Sequence, residues 1–177
     1  GLAVTIYRLG EVGPSSVTGV PHSKSFLNFL LIGCMQLGMY PTSSFSFDWT
    51  PVNAVANAIA YCIINDIAAG ETFHVMQQRS LSFGLVIDCL LEAGIRMRDV
   101  SYEEFWSRLD ESVRCRAGSS ELTLLRALLP RPSKAHGLTT TLIDAQKFYC
   151  RARFAQLLKR STISFPELDE LTLSHLV

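Results

Sequence analysis

From Leu2 to Leu9 the chain is aliphatic, aromatic or β-branched at almost every position, with Ala3, Thr5 and Tyr7 set between Leu2, Val4, Ile6 and Leu9. A run without polar alternation predicts a strand covered on both faces, inside an α/β sheet. It leads into Gly10, Gly13, Pro14 and Gly19, a loop at the carboxyl end of the strand. Open α/β sheets place their ligands there, and glycine lets backbone approach a ligand closely. Gly10 and Gly13 would serve equally well in a tight turn with no ligand. A strand at the very start, with no strand or phosphate-binding turn before it, predicts a chain cut from something longer.

The next apolar stretch, Phe26, Leu27, Phe29, Leu30, Leu31, Cys34, Met35, Leu37 and Met39, predicts a helix apolar on nearly all sides and ended by Pro41. Such a helix is buried or lines an apolar pocket. Phe45, Phe47 and Trp49 alternate with Ser46 and Asp48 as a short strand, and Thr50 followed by Pro51 predicts a helix start with threonine as cap. Val52, Val55, Ala56, Ile59 and Ile63 recur at helical spacing, Gly70 closes a turn, and Thr72 to Met76 reads as a strand. The strand, helix, strand alternation predicts a mostly parallel sheet.

After Gln77 the pattern becomes helical. Phe83, Val86, Ile87, Leu90 and Leu91 form a stripe that Gly94 is placed to cap, and Arg96 to Val100 reads as a short edge strand. Ser101 with Glu104 makes a capping box for a helix whose inner face is Tyr102, Phe105, Trp106, Leu109 and Val113. Another helix runs from Ser120 to Leu129, and Arg131 to Gly137 reads as an exposed loop. A helix over Thr141 to Arg160, with Lys147, Arg151 and Arg153 outward, and a last one opened by Ser164 and Glu167 complete the chain. The periodicity describes an α/β half-sheet followed by a mostly helical subdomain.

Composition narrows this picture. The 177 residues are 48% hydrophobic with a mean hydropathy of +0.22, which suits a piece that packs against a further segment. Sixteen basic and sixteen acidic residues cancel, so there is no electrostatic footprint for nucleic acid or an acidic membrane. The five cysteines are evenly spread, odd in number and without a CxxC pair, which excludes a zinc site or disulfide framework and fits reduced cysteines in a cytoplasmic protein. The runs FLNFLLIGCM and AVANAIAYCII fall short of the ~20 residues of a membrane span. No signal peptide is visible.

Chemistry is sparse. No nucleophile elbow, P-loop, HExxH or glycine fingerprint is present. His22, His74, His136 and His175 lie far apart with no paired base or ligand and read as structural. Glu11 and Asp48 are the carboxylates nearest the glycine loop, and nothing pairs them as acid and base. The reading assigns no catalytic residue and no metal site to this chain.

The wording is more specific than the pattern. YRLGEVGPSSVTG, FLNFLLIGCMQLGMYP, DWTPVNAVANAIAYCI and ETFHVMQ, in that order, resemble the carboxy-terminal half of the thioester reductase domains that end nonribosomal peptide synthetases, polyketide synthases, aminoadipate reductases and carboxylic acid reductases. SYEEFW and STISFPELDELTLSHL are similar to the closing helices of the same family, extended short-chain dehydrogenase/reductase proteins. The resemblance implies the C-terminal part of a Rossmann-type sheet over residues 1–78 and a helical substrate-binding subdomain over 79–177. It also implies NADPH as cofactor, held mostly by an N-terminal half that this chain lacks together with the family's phosphate-binding glycine motif and tyrosine–lysine pair. The expected partner is an acyl or peptidyl carrier protein with its phosphopantetheine arm. The expected reaction is reductive release of a carrier-bound acyl thioester as aldehyde or alcohol, and the fragment alone is expected to be inactive. Position by position, Arg8, Leu9, Gly10, Glu11 and Val12 resemble the segment beside the nicotinamide, with Leu9 in place of the customary proline. Thr18, Gly19, Phe26, Phe29, Leu30, Met35 and Trp49 resemble the acyl-binding wall. Asn53 stands where the family has aspartate, and either residue caps a helix. A redox-inactive relative that releases product by cyclisation, a non-catalytic binding module and a fatty acyl-CoA reductase remain as alternatives.

Overall fold

A computed structural model describes residues 4–22, 24–67, 70–77, 79–115, 119–132, 152–159, 161, 163 and 165. The contacts divide the chain into two units, one built from stretches of 1–21, 47–81 and 148–176, the other from 22–46 and 82–147. This differs from one boundary at 78/79, because residues 22–46 fold with the later helices.

The first unit holds two parallel strand pairs. Strand β1 (Ile6–Leu9) is followed by the two-residue β2 (Val12–Gly13). In the second unit lie helix α1 (Phe26–Leu37) and β3 (Met39–Pro41). The chain passes between units at β4 (Ser46–Phe47), and the first unit resumes with β5 (Thr50–Pro51), helix α2 (Val52–Ile64) and β6 (Thr72–Val75). Strand β1 pairs parallel with β6, placing Arg8 opposite His74, and β2 pairs parallel with β5, placing Gly13 opposite Pro51. Parallel neighbours need a crossover, and α2 supplies it before β6.

The core of this unit forms on one face of the β1–β6 pair. Val55, Ala58 and Cys62 of α2 meet Phe73 and Val75 of β6 and Phe154 and Leu158 of helix α6 (Ala152–Leu158), with Tyr7 packed alongside. Tyr7 stacks on Phe73 at 6.3 Å, and Phe73 meets Phe154 at 5.7 Å. The buried stripe of α2 is therefore Ala54, Val55, Ala58 and Cys62, while Val52, Ala56 and Ile63 of the expected stripe are exposed. The expectation of a strand covered on both faces also needs correction. Among the described residues the helices cover the Tyr7 face, while Val4 and Ile6 on the other face are 55% and 47% exposed and Leu9 at the strand end is 47% exposed.

The second unit continues through β7 (Leu81–Ser82), at its border, into helix α3 (Phe83–Glu92), strand β8 (Arg98–Val100), helix α4 (Tyr102–Arg114) and helix α5 (Ser120–Leu128). Strand β3 pairs parallel with β8. Helix α1 crosses α5 at Gly33, where a Cβ would stand 2.3 Å from Leu125 Cδ2, so the two backbones approach closely. Phe105, Leu109 and Leu125 are fully buried between the helices of this unit. Helix α1 ends one turn earlier than Pro41 suggests, because Gly38 adopts a left-handed φ of 65° and bonds back to Cys34 and Met35. Gly94 closes α3 in the same way, with φ 88°. The helix expected over 141–160 is described only at α6, and the last helix, its capping box, His136, His175 and most of the 131–137 loop lie outside the described residues.

Candidate functional site

The β1–β6 pair ends where the β2–β5 pair begins. Gly10 follows β1, Met76 and Gln77 follow β6, and Asp48 to Thr50 precede α2. The Gly10 amide donates to the Val75 carbonyl at 3.4 Å, and Thr50 N donates to the Glu11 carbonyl at 3.0 Å. A Cβ at Gly10 would come to 3.1 Å from Met76 Cε and 3.4 Å from Asp48 Cβ, so this turn is closely packed by its neighbours. The Thr50 hydroxyl accepts from Gln77 N at 2.8 Å and leaves α2 without a side-chain cap; Pro51 is the cap residue. Asp48, Thr50 and Gln77 are all buried. The Oε1 of Glu11 is buried and has no hydrogen-bond partner among the described residues. A buried carboxylate oxygen without a donor is costly, and the turn therefore offers an acceptor to a ligand's N–H or O–H.

Past this turn the chain enters the 14–20 loop. Pro14 is buried, whereas Val17, Thr18 and Val20 are exposed at its tip. Gly19 has a φ of 68° and donates to the Ser15 carbonyl at 2.8 Å; Ser15 N donates to the Val20 carbonyl at 3.2 Å. Such a φ suits glycine because a Cβ is strained there. The loop is tied down at Ser16, whose N–H donates to Asn53 Oδ1 at 2.9 Å while Asn53 Nδ2 donates to Ser16 Oγ at 2.9 Å. Asn53 is therefore a brace to a distant loop, a role different from the helix cap its position suggests.

The expected acyl-binding residues fall into two groups. Thr18, Gly19 and Trp49 belong to the first unit, where the Trp49 ring lies on the Gly13 backbone and edge-on to Phe47 at 6.1 Å. A Cβ at Gly13 would stand 2.7 Å from Trp49 Cδ1. Phe26, Phe29, Leu30 and Met35 lie along α1 in the second unit: Leu30 is fully buried, Phe29 nearly so, and Phe26 and Met35 are partly exposed. The five residues expected beside the nicotinamide, Arg8 to Val12, run along β1 and its exit, with Arg8 and Leu9 exposed and Glu11 and Val12 partly buried.

Burial moves several of the described thiols and phenols away from neutral pH. Burial pushes the Cys34 and Cys62 thiols up. Burial, and next the neighbouring Cys62, raises the Tyr7 phenol. Among the described residues no three His, Cys, Asp or Glu side chains form a group that could hold a metal ion, and no helix is long and apolar enough to cross a membrane. Sequence reasoning missed Met76, Gln77, Ser16 and the bracing role of Asn53. The one available signal was that Met76 and Gln77 directly follow a strand, at the end where α/β sites form.

Residues 1–59 match the NAD-binding family described as Male sterility protein. Over 114 residues, 64% of this chain, the sequence is 31% identical to the large subunit of L-2-aminoadipate reductase of Penicillium chrysogenum. The fold is that of the terminal R domain from the myxalamid PKS-NRPS pathway, with a TM-score of 0.80 and 23% identity over 99% of this chain and 43% of that one. A thiolation-reductase di-domain from an archaeal nonribosomal peptide synthetase matches with a TM-score of 0.72 and 19% identity over 99% and 35%. The α/β fold with its parallel strand pairs is therefore the one these reductase-domain structures share. The sequence is also 27% identical over 117 residues, 66% of this chain, to the non-reducing polyketide synthase pkiA of Emericella nidulans. It spans 8% of the length of the aminoadipate reductase subunit.

Proposed function

We propose that this chain is the substrate-binding portion of an NADPH-dependent thioester reductase that releases a carrier-bound acyl group as aldehyde or alcohol from a multidomain synthase in the cytoplasm. The observation that carries the reading is the turn at Gly10. It lies at the carboxyl end of a parallel strand pair, is closely packed on Met76 and Asp48, and has beside it the buried, undonated Oε1 of Glu11. Those features fit a nicotinamide, whose carboxamide carries the N–H donor that Glu11 lacks. Arg8, Leu9, Gly10, Glu11 and Val12 would hold that end of the cofactor, and NADPH supplies the hydride when bound. Leu9, at the place of a proline, leaves the backbone free to approach but gives the ring a more flexible support.

Thr18 and Gly19 present the exposed side of the 14–20 loop to the acyl thioester. Phe26 and Met35 offer partly exposed apolar surface for the acyl chain, with Phe29 and Leu30 packed beneath them to fix that surface. Trp49, clamped on Gly13, holds the turn and the loop base in one arrangement. The exposed Val4, Ile6 and Leu9 are the surface on which the remainder of the reductase domain would lie, and the catalytic groups belong to that remainder. A carrier protein with its phosphopantetheine arm delivers the substrate.

The test is product analysis by mass spectrometry after mixing the reductase region that contains this chain with NADPH and an acyl thioester. Aldehyde or alcohol is expected from that region, and none from residues 1–177 alone. Acid or cyclised product with no consumption of NADPH would replace the reading by redox-inactive release.

A further inference from the structure

Among the described residues one side chain from outside the 14–20 loop, that of Asn53, hydrogen-bonds to it. Its base is fixed where β2 pairs with β5, through the register Val12 to Thr50 and Gly13 to Pro51. Two residues beyond Pro51, Asn53 reaches across to Ser16 with both ends of its carboxamide, accepting from the backbone N–H at 2.9 Å and donating to the hydroxyl at 2.9 Å. Its other hydrogen bonds among the described residues are internal: Ser15 Oγ accepts from the amides of Val17 and Thr18 at 3.3 Å, and Thr18 Oγ1 accepts from Val20 N at 3.5 Å. These set the loop's shape without setting its place, and the tip residues Val17 and Val20 are 81% and 66% exposed. A loop with no apolar anchor at its tip is positioned by whichever polar contact reaches it.

We infer that Asn53 is a positioning residue for the thioester substrate: it sets where Thr18 and Gly19 stand and so governs how well the substrate is placed. The inference rests on the reductase reading above. The same two contacts are open to a carboxylate at position 53. A carboxylate would accept from both the N–H and the hydroxyl of Ser16, because the hydroxyl proton can turn to meet it.

Three variants of the reductase region containing this chain test the inference. In Asn53→Ala the KM for the acyl thioester should rise about 5- to 10-fold, while kcat and the KM for NADPH change less than about 2-fold. Asn53→Asp should restore the thioester KM to within about 2-fold of the parent, and Ser16→Ala, which keeps the backbone bond, should give an intermediate rise. Hydrogen exchange read over residues 15–20 should speed up in Asn53→Ala and recover in Asn53→Asp. An active parent whose Asn53→Ala form keeps its thioester KM, or loses kcat and both KM values together with melting temperature, overturns this inference alone. A parent that turns over no thioester overturns the reductase reading and the substrate role of Asn53 with it.

Discussion

At Gly13 the indole of Trp49 occupies the space that any side chain would need, with Cδ1, Nε1 and Cγ all within 3.0 Å of where a Cβ would stand. The ring is rigid and buried, so it cannot yield as the end of a flexible chain would. Gly13→Ala should cost about 1–3 kcal/mol and shift the Trp49 fluorescence, as read by thermal melting and emission spectra. A melting temperature and spectrum equal to the parent's would show that the ring has room to move. Single residues were also where the sequence was least legible. Thr50 and Asn53 sit among strong helix-start signals, and local rules assign both to capping. Their hydrogen bonds go instead to Gln77 and Ser16, 27 and 37 residues away. Short-range patterns cannot report such partners, since the same hydroxyl or amide satisfies either role. Gly10 was legible only as an alternative, turn or site, and its packing on Met76 and Asp48 depends on a strand that begins 62 residues later.

Elements read better than residues, because the signals that make them are local. The Ser101 hydroxyl caps α4 by accepting from Glu104 N at 3.2 Å, although the Glu104 carboxylate turns away to Arg98 at 2.6 Å. Phe83, Val86, Ile87 and Leu90 of α3 and Tyr102, Phe105 and Leu109 of α4 are buried as their spacing predicts, while Leu91, Trp106 and Val113 of the same stripes are only partly covered. The joint between α4 and α5 is a different matter, since no periodicity announces it. Asp110 of α4 is buried and accepts from Arg126 Nε of α5 at 2.5 Å and from Arg114 Nε at 2.7 Å. Arg114 is mostly exposed and Arg126 mostly covered, so their removal should differ. Arg126→Ala is expected to cost about 1.5–3 kcal/mol in urea unfolding and Arg114→Ala about 0–1 kcal/mol. Equal losses would contradict this account of the joint.

Tyr102 offers a second handle on the same unit. Its hydroxyl donates to the Pro130 carbonyl at 2.5 Å, and burial, followed by the nearby Glu103, pushes the phenol up to about 12. A folded-state value above the ordinary ~10 means that the neutral phenol is favoured by folding. Its contribution to stability is complete below about pH 10 and is lost as pH rises towards about 12. Tyr102→Phe should lower stability by about 1 kcal/mol at pH 7 and flatten the decline between about pH 10 and 12. An unchanged alkaline limb, measured by denaturation across that range, would assign the decline to other groups such as the half-buried Tyr7 and Tyr40.

On the scale of the whole molecule, the α/β class and the parallel pairing were legible from the strand, helix, strand order alone. The division into units was not. Residues 22–46 join the later helices through Gly33 against Leu125 and through Ser119 Oγ to Gln36 Oε1 at 2.9 Å, contacts spanning more than 80 residues. An all-round apolar helix gives no sign of which neighbour it will choose. The burial of β1 was overestimated for a related reason: an apolar run reports that a strand is made to be covered and leaves open which segment covers it. The site beside it rests on a turn, a brace and the buried Oε1 of Glu11, and its reading as a reductase site depends on whether hydride reaches an acyl carbon there. The most direct measurement uses NADPH carrying deuterium at its transferable position, with the reductase region that contains this chain and a carrier-bound acyl thioester, and reads the mass of the released product. One deuterium on the former thioester carbon of an aldehyde, or two in an alcohol, is the predicted result. Product released without deuterium would contradict the reductase account.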